Sequence, residues 1–123
     1  MKYGRIFYNL VRHPAVFKEI SHYVKNDFMA AVGRYGYDHR ILYVAGLAKS
    51  GSTWLSNMLA LVPGYNIRSI NDPAGVIIKG DVCDSIFSTL PPKGYSIIKL
   101  HTQYSRSNFE IIRKYVSKFI VTY

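Results

Sequence analysis

Between residues 46 and 53 the chain reads Gly46-Leu47-Ala48-Lys49-Ser50-Gly51-Ser52-Thr53. A glycine, four residues, a second glycine and two hydroxyl residues is the spacing of a phosphate-binding loop. Glycines let backbone N–H groups close around an anion, and a helix starting there adds the positive end of its dipole. Ser52 and Thr53 can donate side-chain hydrogen bonds as well. Nucleotide hydrolases place a lysine directly after the second glycine; here that position is Ser52, and the loop lysine is Lys49, on the other shoulder. A second pair, Lys99 and His101, is separated by one residue. On a strand such residues share a face, so a cation and a base stand side by side. The remaining acids and histidines suggest no chemistry. His13, His22 and His39 lack metal-ligand spacing and read as surface or capping residues, and Asp72, Asp81 and Asp84 read as loop or cap residues. The single Cys83 excludes an internal disulfide and a cysteine-based zinc site.

These residues need elements that hold them. Residues 41–46 are uniformly apolar apart from Gly46 and predict a strand buried on both faces, as in a parallel sheet. Trp54, Leu55, Met58, Leu59 and Val62 follow the loop at helical spacing, and Pro63-Gly64 stops that helix. Residues 96–100 read as a strand that ends at His101. Ser107 and Glu110 match a capping box, with Ser107 at the cap, and Phe109, Ile112 and Val116 form the apolar stripe of the helix behind it. Glu110 is expected to pair with Lys114. Residues 118–123 read as the next strand. Between these segments, residues 66–70 and 76–79 read as short strands and 82–90 as one short helix. Strand, helix and strand in this rhythm imply an α/β fold with a parallel sheet covered by helices, three layers in all.

Two domains of unequal weight are expected. Residues 1–39 form an N-terminal basic aromatic arm and an amphipathic helix, and residues 40–123 form the α/β portion. Pro14 suits a first helical position, Phe17, Ile20, Val24, Phe28 and Ala31 recur at helical spacing, and Gly33 and Gly36 follow. The stripe predicts an ordinary packing helix over 14–32. A membrane-surface helix is the sharper alternative, with Lys18 and Lys25 on its polar face, and Glu19 and Asp27 speak against it.

Residues 48–55, Ala-Lys-Ser-Gly-Ser-Thr-Trp-Leu, resemble the 5′-phosphosulfate-binding loop of the sulfotransferases, usually Pro-Lys-Ser-Gly-Thr-Thr-Trp-Leu. Ala48 replaces the proline, and Ser52 replaces a threonine while keeping its hydroxyl. Lys99-Leu100-His101 is similar to the family's Lys-Thr-His at the corresponding strand end, with the change at Leu100 on the opposite face. The resemblance implies a P-loop-type fold that uses 3′-phosphoadenosine 5′-phosphosulfate as donor and transfers its sulfuryl group to a hydroxyl or amine. It implies that Lys49 contacts the bridging or sulfuryl oxygens. Ser50, Gly51, Ser52 and Thr53 would hold the 5′-phosphate, and Trp54 would lie against the adenine. Lys99 would contact the sulfuryl group and His101 would be the general base. No metal enters this scheme. Residues 118–123 resemble the family strand that runs into the 3′-phosphate-binding segment, so the chain reads as the N-terminal portion of a longer, here incomplete, domain that would be inactive by itself.

Composition sets the alternatives. Hydrophobic residues make up 49% of the 123, enough for a core, and the net charge is +9. That charge favours an anionic partner but is spread along the chain, with no dense basic block, so no nucleic-acid partner is expected. A P-loop kinase or hydrolase is one rival reading. A non-enzymatic module binding nucleic acid or membrane surfaces is the other, and a weak membrane-surface contact through residues 1–25 is the lipid expectation. The lone cysteine and the lack of an apolar run of spanning length point to a cytoplasmic setting.

Overall fold

The computed structural model describes residues 13–46, 49–70, 80–116 and 118–123. Helix α1 (Pro14–Ala31) precedes the sheet. The elements then run β1 (Ile41–Gly46), α2 (Ser52–Leu59), β2 (Tyr65–Ile67), α3 (Ser85–Ser88), β3 (Tyr95–Leu100), α4 (Arg106–Tyr115) and β4 (Phe119–Thr122). The expected arm over 1–12, the expected strand over 76–79 and Asp72 lie outside the described residues.

All strand pairings are parallel, and the order across the sheet is β2-β3-β1-β4. Alternation along β1 and β3 divides the core between two faces. Tyr43 and Ile98 pack with Ile86 and Phe87 of α3 and Ile112 of α4. Val44 and Ile97 pack with Ala30 of α1 and against Leu55 and Leu59 of α2. The expected α/β sheet flanked by helices is therefore the observed one. β1 and β3 are central, which explains their unbroken apolar runs. The chain moves from β1 to β2 by a helix on one face, then back to β3 and on to β4 by helices on the other. A change of direction with a change of face keeps one crossover hand.

Local chemistry accounts for the element ends. Pro14 opens α1, and Gly33 at φ 77° closes it, with Arg34 N bonded to Met29 O and Gly33 N to Ala30 O. The cap of α4 is Ser105, not Ser107: its Oγ accepts from Asn108 N at 3.1 Å. Glu110 accordingly pairs backwards with Arg106, and Lys114 reaches Asp84. The middle is less regular than its apolar content predicts. β2 has three residues, and the 82–90 segment holds one helical turn, because Val82, Ile86 and Phe87 are buried without a longer helix.

The largest departure concerns α1. The face it turns to the sheet is largely polar, with Ala30 as its buried apolar residue. Buried Asn26 donates to Asn66 Oδ1 at 2.9 Å, and Arg68 clasps Asp27 through its two terminal guanidinium nitrogens at 2.6 and 2.9 Å. Asn66 Nδ2 also donates to Tyr23 O at 3.0 Å, and Arg68 Nε to Ser96 Oγ at 3.1 Å. The predicted packing stripe instead faces outward: Phe17, Val24 and Phe28 are each more than 60% exposed.

Candidate functional site

β1 and β3 lie side by side, and their chains leave toward opposite faces, β1 into α2 and β3 into α4. In open α/β sheets this creates a crevice beyond the carboxyl ends of the two strands. Both predicted motifs sit at this crevice. Lys49, Gly51, Ser52, Thr53, Trp54 and His101 line a cleft of about 540 Å³.

The loop between β1 and α2 turns through left-handed backbone at Lys49 (φ 62°) and Gly51 (φ 84°). The second is a glycine position by sterics; the first holds a lysine in a region that side chains disfavour. Ser50 folds back over the strand end. Its Oγ lies 2.7 Å from Thr122 Oγ1 of β4, whose residue pairs with Gly46. A Cβ on Gly46 would collide with Thr122 Oγ1 and stand 2.8 Å from Ser50 Oγ. Gly46 is thus needed for close approach of three chain segments. The first intrahelical bond of α2 runs from Leu55 N to Gly51 O, so the N–H groups of residues 52–54 open the helix toward the cleft without an intrahelical partner.

β3 supplies the opposite wall. Lys99 Nζ donates to Thr53 Oγ1 at 2.9 Å, which joins the two motifs. Leu100 packs on the other face, as alternation requires. His101 Nδ1 lies 2.9 Å from Gly46 O. A carbonyl only accepts, so Nδ1 carries the hydrogen and, in the neutral ring, Nε2 keeps its lone pair. Tyr43 Oη, 2.6 Å from Thr102 Oγ1, fixes the chain just past His101. Burial pushes the Tyr43 phenol up, with the Thr102 hydrogen bond opposing it, so this anchor is a neutral hydroxyl at ordinary pH.

The cleft therefore combines Lys49, a helix start, hydroxyl groups and the His101 imidazole, with Lys99 tied to its edge through Thr53. That set fits an anionic group with a nucleophile beside it. Trp54 is 67% exposed and offers an open ring rather than a core contact. Asn57, which also lines the cleft, was not legible as a site residue, although it stands one helical turn after Thr53. Thr122 was missed as well, since nothing local links it to Ser50. Leu47 and Ala48 of the loop lie outside the described residues. Among the described residues, no group of three His, Cys, Asp or Glu side chains comes together, and no helix is long and apolar enough to cross a membrane. No family model, curated protein or solved structure matches the chain.

Proposed function

We propose that this cleft binds the 5′-phosphosulfate end of 3′-phosphoadenosine 5′-phosphosulfate and that the protein is a sulfotransferase acting on a hydroxyl or amine. The observation that carries the reading is that Lys49 and His101, from the ends of β1 and β3, line one cleft, and that Lys99 is bonded to Thr53 of the same lining. The loop from Ser50 to Thr53 provides hydrogen-bond donors for a phosphate, and Trp54 provides an apolar surface for a base. A P-loop-type fold and a cytoplasmic location belong to the same reading.

Sulfuryl transfer is an in-line displacement: the acceptor's S–O or S–N bond forms as the bond from sulfur to the bridging phosphate oxygen breaks. Lys49 and Lys99 stand where negative charge would grow, and preorganised cations act most strongly on such charge. Nε2 of His101 is the atom that takes the acceptor's proton. Lys99 is held by Thr53 Oγ1, so it reaches an anion at Thr53 by a short displacement rather than by ordering a free side chain.

Titration calorimetry with 3′-phosphoadenosine 5′-phosphosulfate tests the reading. Binding that weakens at least tenfold in Lys49→Ala is expected. Binding of magnesium-ATP without binding of the sulfated nucleotide would replace the reading with a kinase or hydrolase.

A further inference from the structure

We propose that α1 is a membrane-surface helix that docks the protein on an anionic bilayer, independently of the cleft. Five of its apolar residues, Val16, Phe17, Ile20, Val24 and Phe28, are between 42% and 62% exposed. Phe17, Ile20, Val24 and Phe28 follow the spacing of a single helical face. Residues 13–22 are exposed throughout, so the first half of the helix stands clear of the sheet. The helix has no need of this face for its own docking, because Asn26, Asp27 and Ala30 provide that contact.

The charges decide the occupant. Lys18 and Lys25 are exposed and, at 100° per residue, flank the apolar face on one side. Asp27 is clasped by Arg68, and Glu19 borders the groove that Arg68 also lines, on the sheet side of the helix. The acids that speak against lipid binding in the sequence are thus turned away from the apolar face or neutralised. The twelve residues before His13 add Lys2, Arg5 and Arg12 and no acid. A net charge of +9 attracts an anionic lipid surface and repels a second copy of the chain. An apolar stripe bordered by lysines is the pattern of a helix lying in the headgroup region.

The test is co-sedimentation of the full chain with phosphatidylcholine vesicles and with vesicles that also contain phosphatidylglycerol. Salt-sensitive binding to the mixed vesicles is expected. It should fall at least tenfold in Phe17→Ser/Phe28→Ser, and about fivefold for each lysine removed in Lys18→Gln/Lys25→Gln. The second variant changes no packed side chain, so the test stands even if the first fails to fold. Lys93→Gln/Lys118→Gln, on exposed positions elsewhere, is the control and should bind within twofold of the parent protein. No binding to the mixed vesicles overturns the proposal, and so does an equal loss in the control. Self-association that is abolished by the phenylalanine changes, without lipid binding, assigns the face to a second copy instead.

Discussion

His101 Nδ1 lies 2.9 Å from the carbonyl oxygen of Gly46, so the end of β3 is tied to the end of β1 by the ring that carries the candidate base. This bond sets the tautomer. His101→Gln retains a donor for Gly46 O but has no base, and His101→Ala has neither. Placed in the complete domain that the sulfotransferase reading implies, both variants should bind the donor nucleotide within a few-fold of the parent and lose roughly 10²–10⁴-fold in turnover, the usual worth of a positioned acid or base. Calorimetry and a sulfuryl-transfer assay on the same preparations separate the two effects. Turnover within a few-fold in His101→Gln removes His101 from the chemistry.

Gly46→Ala should lower stability by about 1–3 kcal/mol, the usual cost of overpacking, because the new methyl meets Thr122 Oγ1 and Ser50 Oγ. Gly46→Ala/Thr122→Ala should recover part of that loss, since the two sites are in contact and their effects are not additive. Denaturant unfolding of the two variants and of Thr122→Ala completes the cycle. Purely additive losses would show that the loop does not close over Gly46 as described.

Lys49 occupies left-handed backbone at φ 62°. The strain costs roughly 1–2 kcal/mol for a side-chain-bearing residue. Glycine relieves it but has more unfolded-state freedom to lose, about 0.5–1 kcal/mol. Lys49→Gly should therefore be as stable as the parent or slightly more so, while binding the sulfated nucleotide at least tenfold more weakly. A clear loss of stability would mean that Lys49 holds the fold rather than a ligand.

The clasp of Arg68 on Asp27 is two-pronged and mostly shielded, with the Arg68 side chain 15% exposed. Arg68→Ala leaves Asp27 to Asn66 alone and should cost about 1.5–3 kcal/mol, the range for hydrogen bonds to charged groups. Hydrogen exchange should rise first along α1, because the helix is docked mainly by this network. Uniform exchange across the sheet would place the lost stability elsewhere.

Tyr115 donates to the Asp84 carboxylate at 2.6 Å, and Lys114 stands 3.4 Å from the same oxygen. Tyr115 first, and Lys114 after it, hold the carboxyl below its ordinary value of 3.8. A depressed folded-state value gives stability that is present above the unfolded value and is lost as pH falls through the folded one. The melting temperatures of the parent and Asp84→Asn should thus differ at neutral pH and converge as pH drops below 3.8. A constant gap across that window contradicts the pairing.

Much of this architecture is local and was legible in the residues. The apolar runs of β1 and β3 and the glycine spacing of the loop depend on neighbours within a few positions. So do the helix after the loop and the pairing of Lys99 with His101 on one strand face. Only the tertiary structure decided which strand ends meet. Thr53 and Lys99 are 46 residues apart, and Ser50 and Thr122 are 72 apart. It also reversed α1. Hydrophobic periodicity identifies a face but does not say what covers it, and the residues that dock this helix, Asn66 and Arg68, lie some 40 positions further along the chain. Asn26 and Asp27 look like solvated positions until those partners are in place. Burial of a polar face is stable only when every donor finds an acceptor, and that depends on packing rather than on spacing in the sequence.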